Sequence, residues 1–341
     1  VVEPHNQVEV QLGHLCNNRC VFCVSGQLTA ARQARQIPTE PVFLELDLAR
    51  ARGATRVTLL GGEPTIQRSF FDVLRHAKGL GFEEIVIFTN GVMTPRLDFV
   101  EQVHAIGDFT WRFSIQGATE ACHDAVTKRP GSFRRILDGI ALLRERGQRI
   151  TANMCITHEN LSSLPHYPEL VAAHGVSQLH LDQIRPLDAG ARSDEYLKEI
   201  MPRYSDQVPF LREMLSKFPP EFDVNIGNFP YCLIPEYAHR IHHDGQATVT
   251  VAATTDGLTA GFDKYAVKRA DKTHPEACGG CVFRPECNGL FLQYQAFFGE
   301  SEVCAVSPER LRKVATAPMP LARLLGAAFG ALPGRAAPPP W

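Results

Sequence analysis

Along the first two-thirds of the chain, short apolar or alternating runs are separated by stretches whose apolar positions recur every three or four residues. These are the periods of strand and amphipathic helix. Their alternation along a chain is what βα units around a parallel sheet produce. Six strands are predicted, near Val8–Leu12, Val57–Leu60, Ile85–Thr89, Thr110–Ile115, Ile150–Thr157 and Gln178–Ile184. Helices are predicted near Glu40–Arg52, Ser69–Gly79, Leu97–Ala105, Phe133–Arg146 and Ser163–His174. Residues 208–227 then read as a helix followed by a strand. The expected fold class is α/β, a partial (βα)6 TIM-like barrel with a smaller C-terminal domain. In such barrels the chemistry lies at the C-terminal ends of the strands.

Two motifs fall at those ends. Cys16, Cys20 and Cys23 in "CNNRCVFC" follow the first strand, and "GGEP", Gly61 to Pro64, follows the second. A cubane iron–sulfur cluster takes four thiolates, so three from one loop leave an iron open to an outside ligand.

The triplet, the aromatic Phe22 before its last cysteine and the GGEP turn together resemble the radical S-adenosylmethionine (SAM) superfamily. The resemblance implies a [4Fe-4S] cluster whose open iron binds SAM, and reductive cleavage of SAM to a 5′-deoxyadenosyl radical that abstracts a substrate hydrogen. It also implies that Phe22, Gly61, Gly62, Glu63 and Pro64 belong to the cofactor site, with the GGEP backbone facing the SAM ammonium. Further contacts carried over from the family are Asn90 in "TNG", Ser114 and Gln116 in "FSIQG", Asn153 on the fifth strand and Arg185 after the sixth. Asn153, Cys155 and Thr157 share one strand face, and Gln183 and Arg185 share another. Both sets are expected to line the SAM or substrate cavity.

The last third holds Cys278, Cys281 and Cys287 in "CGGCVFRPEC", with Cys232 upstream in "FPYCL" and Cys304 downstream in "EVCAV". Zinc is a chemically adequate partner for four such thiolates. Beside the triplet, however, this spacing followed by "NGLFLQYQAFFG" resembles the SPASM and twitch extensions of radical SAM enzymes. That resemblance implies an auxiliary [4Fe-4S] cluster, and five available thiols allow one. Cys232 is the favoured fourth ligand, as in twitch-like relatives, with Cys304 as the SPASM-like alternative. The expected division is a core barrel over 1–207, a bridge over 208–228, an auxiliary-cluster domain over 229–315 and an Ala/Pro-rich tail over 316–341.

Cys122 and Cys155 read either as small buried hydrophobes or, by analogy with radical SAM epimerases, as thiol hydrogen donors. His239, His242 and His243 are expected on a solvated face rather than on a metal, and Lys128, Arg129, Arg134 and Arg135 are expected in solvent.

Composition narrows the picture further. The chain has 341 residues, 44% of them hydrophobic, which is ample for one full core and a smaller module. A formal net charge of −2 gives no electrostatic footprint for nucleic acid. Ten cysteines clustered in metal-like spacings, with no secretory leader, point to a reducing, cytoplasmic compartment. The tail segment "LARLLGAAFGAL" is too short to span a membrane. It is expected to dock as one helix or to end flexibly.

The reading that follows is a radical SAM oxidoreductase or maturase that draws electrons from a flavodoxin or ferredoxin. Its favoured substrate is a ribosomal peptide or protein side chain, any peptide-recognition domain being a separate protein. The alternative is a radical dehydrogenase or epimerase acting on a sugar, an aminoglycoside-like compound or another metabolite.

Overall fold

In the computed structural model of the protein, residues 6–245 and 247–315 are described, together with Leu321 and Leu324. The alternating runs form seven parallel strands, each paired with its predecessor: β1 (Gln7–Gln11), β2 (Arg56–Leu60), β3 (Glu84–Thr89), β4 (Thr110–Ser114), β5 (Arg149–Ile156), β6 (Gln178–Gln183) and β7 (Asp223–Gly227). One strand parity carries Val8, Val10, Val57, Leu59, Ile85 and Ile87, all buried against the surrounding helices. The other parity carries Glu9, Thr58, Arg112 and Asp182 and faces the inside of the curled sheet, because a pleated strand sends successive side chains to opposite faces.

Helices Thr39–Ala51, Phe70–Gly79, Leu97–His104 and Ser132–Arg144 occupy the predicted crossovers. The helix predicted near Ser163–His174 is split into a 3-10 segment, Leu161–His166, and an α-helix, Tyr167–Ala173. Pro165 and Pro168 supply the reason, since a proline removes a backbone donor and is tolerated only in the first turn. The stretch read as a bridge supplies the helix Tyr204–Lys217 and β7, and β7 pairs in parallel with β6 to continue the barrel.

Three short strands had no sequence signal. β8 (Ile241–His242) pairs in parallel with β7, β9 (Thr248–Val251) pairs in parallel with β1, and β10 (Phe262–Asp263) runs antiparallel to β9. β8 and β9 thus lie towards opposite ends of the sheet, yet the chain between them is so short that it reaches no more than roughly 20 Å. The two edges are therefore drawn together, and the sheet is a partial TIM-like barrel.

β10 leads directly into the helix Lys264–Ala270, whose start is capped by Asp263 accepting from the amides of Tyr265 and Ala266, both at 2.8 Å. Lys264 pairs with Glu9 of β1 at 2.7 Å. At the helix's other end, Arg185, just past β6, pairs with Asp271 at 2.9 Å and donates to the Val267 carbonyl at 3.4 Å. The helix therefore spans from the β1 side to the β6 side with its outer face exposed and Lys264 reaching into the barrel. Beyond it, Lys272–Thr273 pairs with Leu290–Phe291 and brackets the cysteine-rich segment.

Among the described residues no helix is long and apolar enough to cross a membrane. The helix expected in the tail lies outside the described residues except for Leu321 and Leu324.

Candidate active site and metal-binding cysteines

Cys16 and Cys20 sit in an irregular loop after β1, and Cys23 occupies the N-cap position of the helix Val24–Ala30. All three thiols are half-buried. The loop is braced from several sides. The Arg19 and Val21 amides donate to the Thr127 and Val126 carbonyls at 3.0 Å each, and the Cys16 amide donates to Thr29 Oγ1 at 3.1 Å. Arg129 donates to the Asn17 carbonyl at 2.7 Å, so it is a brace rather than the solvated side chain expected. Arg134 pairs with Glu120 at 3.0 Å, and Lys128 is the left-handed C-cap residue of its helix. Phe22 is half-buried and packs against the core.

The GGEP turn is built to the shape of this loop. Gly62 donates to the Gly13 carbonyl at 2.6 Å and Glu63 donates to the Leu15 carbonyl at 2.8 Å. A Cβ on Gly62 would lie 2.3 Å from the Leu15 oxygen and 2.4 Å from the His14 oxygen, and one on Gly61 would lie 2.6 Å from the Gly13 oxygen. These are backbone atoms that cannot rotate away, so only glycine permits the approach. Gly62→Ala is expected to displace the cysteine loop and sharply reduce iron uptake at the triplet. Iron content of the reconstituted variant checks this, and normal uptake would refute it.

Glu63 is fully buried, and its carboxylate is occupied within the protein. Oε1 accepts from the Thr65 amide at 3.1 Å, Thr65 Oγ1 at 2.6 Å and Thr89 Oγ1 at 2.7 Å, while Oε2 accepts from the Asn90 amide at 2.6 Å. Burial pushes its pKa up, and these four donors oppose that shift. Glu63 therefore ties the turn to the end of β3, with Pro64 buried at the start of the next helical turn. Asn90 continues the link, its Nδ2 donating to Asn17 Oδ1 at 2.7 Å and lying 3.7 Å from Cys16 Sγ. Glu63→Gln puts an amide donor against the Asn90 N–H and is expected to cost about 1–3 kcal/mol of stability. Thermal unfolding measures it, and an unchanged midpoint would count against the brace.

The barrel register places the other predicted residues. Ser114 lies opposite Asn153, Asn153 opposite His180, Cys155 opposite Asp182, Asp182 opposite Gly227, and Gly227 opposite His242. Ser114, Asn153 and Cys155 thus share the interior face. Gln116 Nε2 donates to Ser114 Oγ at 2.6 Å, and Gln116 Oε1 accepts from the Cys155 amide at 3.0 Å, which locks β4 to β5. Thr157 is buried, with its amide donating to Asn160 Oδ1 at 2.8 Å.

Gln183 points away from the interior, exchanging hydrogen bonds with Gln207 at 2.9 and 3.0 Å. The interior residues of β6 are His180 and Asp182, paired at 3.2 Å, and sequence reasoning missed them by choosing the other parity. Arg185 sits past the strand end, tied to Asp188 and Asp271. Cys122 lies in the first turn of the helix Glu120–Thr127, its amide donating to Thr119 Oγ1 at 3.3 Å. Cys155 is buried, within electrostatic reach of Cys20 and Cys23 on one side and Asp182 on the other. Burial pushes its thiol pKa well up and keeps the S–H intact.

The second cysteine set surrounds a pocket lined by Cys232, Cys278, Cys281, Cys287 and Cys304. Cys232 is buried and Cys304 is exposed. Burial pushes the Cys232 thiol up to about 12 and the Cys287 thiol up to about 11. The Gly289 amide donates to Cys287 Sγ and the Val306 amide to Cys281 Sγ, each at 3.4 Å. The Gly289 donor opposes the rise that burial causes at Cys287.

Among the described residues, no three histidine, cysteine, aspartate or glutamate side chains are gathered tightly enough to hold a single metal ion. His242 and His243 are not on the solvated face expected. His243 is buried against the Phe229 carbonyl at 2.9 Å, with Nε2 4.0 Å from Cys287 Sγ, and His242 turns into the barrel.

Residues 10–171 match the radical SAM superfamily. The chain is 31% identical over 181 residues to an AdoMet-dependent heme synthase of Methanosarcina barkeri, covering 53% of this chain and 51% of that protein. It is 25% identical over 274 residues to a probable GTP 3′,8-cyclase of Sulfurisphaera tokodaii, covering 78% and 82% respectively. The chain thus spans about half the length of the heme synthase.

Two solved structures share the fold. Streptococcus suis SuiB bound to S-adenosylmethionine has a TM-score of 0.59 at 15% identity, covering 89% of this chain and 76% of that one. Native anSMEcpe with bound AdoMet and Cp18Cys peptide has a TM-score of 0.56 at 13% identity, covering 95% and 99%. The region over residues 10–171 is a radical SAM domain, and the protein is a radical SAM superfamily enzyme. Membership implies a [4Fe-4S] cluster and SAM. The braced triplet beside a glycine-lined turn suits both.

Proposed function

We propose that Cys16, Cys20 and Cys23 hold the SAM-binding cluster and that substrate is attacked at the barrel mouth, beside Cys155 and Asp182. The observation that carries this reading is the register that sets Cys155 opposite Asp182 on the interior face, near the C-terminal strand ends where the cysteine loop and the GGEP turn also lie. When bound, the cluster and SAM supply a one-electron reductive cleavage yielding a hydrogen-abstracting 5′-deoxyadenosyl radical. The Gly61–Gly62 backbone, Asn90, Ser114, Gln116 and Asn153 orient the cofactor. Cys155, a protonated thiol on the interior face, is the better placed of the two hydrogen-donor candidates.

A C-terminal SPASM/twitch-like domain over 229–315 carries one auxiliary [4Fe-4S] cluster on Cys232, Cys278, Cys281 and Cys287. Five thiols lining one pocket, four of them enough for a cube, support this ligand set. A flavodoxin or ferredoxin in a reducing, cytoplasmic compartment supplies the electrons.

The substrate reading best supported is the small metabolite. The heme synthase and the probable GTP cyclase are small-molecule enzymes by name, and the barrel interior is lined with ionisable groups rather than an apolar groove. A peptide or protein side chain remains the second reading, favoured by bound peptides named in two fold neighbours. Incubating reconstituted protein with SAM and dithionite and assaying 5′-deoxyadenosine tests the chemistry, and no product would refute it. A short precursor reading frame beside the gene would move the substrate to the peptide class.

A further inference from the structure

The carboxylates on the interior faces of β1, β3 and β6 already have partners. At the N-terminal floor Glu84 is held by Arg56 at 3.1 Å and Arg149 at 3.6 Å. Higher up, Glu9 is held by Lys264 at 2.7 Å and Thr250 at 3.2 Å. Near the mouth Asp182 is held by His180 at 3.2 Å. Positive and donating groups are left over.

Arg112 Nε and His242 Nδ1 are buried with no hydrogen-bond partner. The His242 ring lies tilted against His180 at a centroid distance of 5.1 Å, and the register Asp182–Gly227–His242 sets it in the mouth layer beside Asp182. Lys268 makes no hydrogen bond or ion pair among the described residues. It follows Lys264 by one helical turn and so shares its face. That face looks into the barrel, because Lys264 reaches Glu9. The Arg185 contacts to Val267 and Asp271 pin the same end of the helix over β6.

A half-buried ammonium and a buried imidazole nitrogen, neither with a hydrogen-bonded acceptor, are costly to leave unpaired. A bound acceptor removes that cost. We propose that Lys268 and His242 anchor an anionic group of the substrate, a carboxylate or phosphate, in the mouth layer next to Cys155. This rests on the reading above that the radical chemistry occurs at that mouth, and it assigns the helix Lys264–Ala270 a part in substrate selection. Burial pushes His242 down to about 3, so it serves as an uncharged donor beside the ammonium. Asp182 attracts Lys268 through space while hydrogen-bonding His180, which leaves the ammonium's own donors open.

The test uses reconstituted, SAM-loaded protein and calorimetric titration with three probes: inorganic phosphate, succinate, and an end-blocked pentapeptide bearing one central glutamate. At least one should bind, Lys268→Gln should weaken it about tenfold or more, and Lys268→Arg should keep most of the affinity. A larger response to phosphate or succinate assigns the anchor to a free metabolite, and a larger response to the peptide assigns it to an acidic side chain. If Lys268→Gln loses iron, His242→Phe carries the same expectation. Equal affinity in wild type and variants, or no binding of any probe by wild type, overturns the proposal. Lys268-dependent binding without SAM cleavage in wild type would overturn the proposed chemistry and leave the anchor standing.

Discussion

Replacing Cys16, Cys20 and Cys23 together with alanine is expected to lower iron after anaerobic reconstitution from about eight atoms per chain to about four, and to abolish 5′-deoxyadenosine formation. The loop's backbone is held by Thr127, Val126, Thr29 and Arg129 independently of the thiols, so the fold around it should persist. The second thiol set lies in a separate cavity and should keep its own irons. Continued 5′-deoxyadenosine formation in the triple variant would sink the assignment of the triplet. Zinc in place of the second set of irons would remove the auxiliary cluster instead.

The second large effect separates Cys232 from Cys304. Cys232 is 7% exposed on the cavity wall, and burial there excludes water from any metal bound to it. Cys304 is exposed, and its sulfur already receives Arg310 Nη1 at 3.0 Å. The same guanidinium holds the Cys232 carbonyl at 2.9 Å, so Arg310 sets the spacing of the two segments. Cys232→Ala should change the auxiliary cluster's absorption spectrum and shift its potential, because ligand identity moves iron–sulfur potentials over hundreds of millivolts. Substrate turnover should be lost while SAM cleavage partly survives. Cys304→Ala should be much milder. A normal cluster in the Cys232 variant and a damaged one in the Cys304 variant would exchange the two roles.

Much of the barrel was legible in the sequence because strand and helix periods are local properties. The boundaries of β1 to β6 are recovered to within a residue or so of the runs that announced them. The exceptions are also physical. β8 and β10 are two residues long, too short to show any period, and exist only because neighbouring strands supply partners. The helix near Ser163–His174 was misread through Pro165 and Pro168, where backbone chemistry overrides apolar spacing.

The sequence by itself determined the cysteine triplet, the glycine turn and the second cysteine set, because metal-ligand spacing and close backbone approach are written in residue type. Only the tertiary structure decided which strand face looks inward. That choice excluded Gln183 and admitted His180 and Asp182, since a one-residue change of parity reverses a strand. It also decided that Glu63 braces the turn with its carboxylate, that five distant cysteines share one cavity, and that Lys264 and Lys268 enter the barrel from a helix far along the chain. Such contacts join residues up to 255 positions apart, as Glu9 and Lys264 are, and no local pattern encodes them.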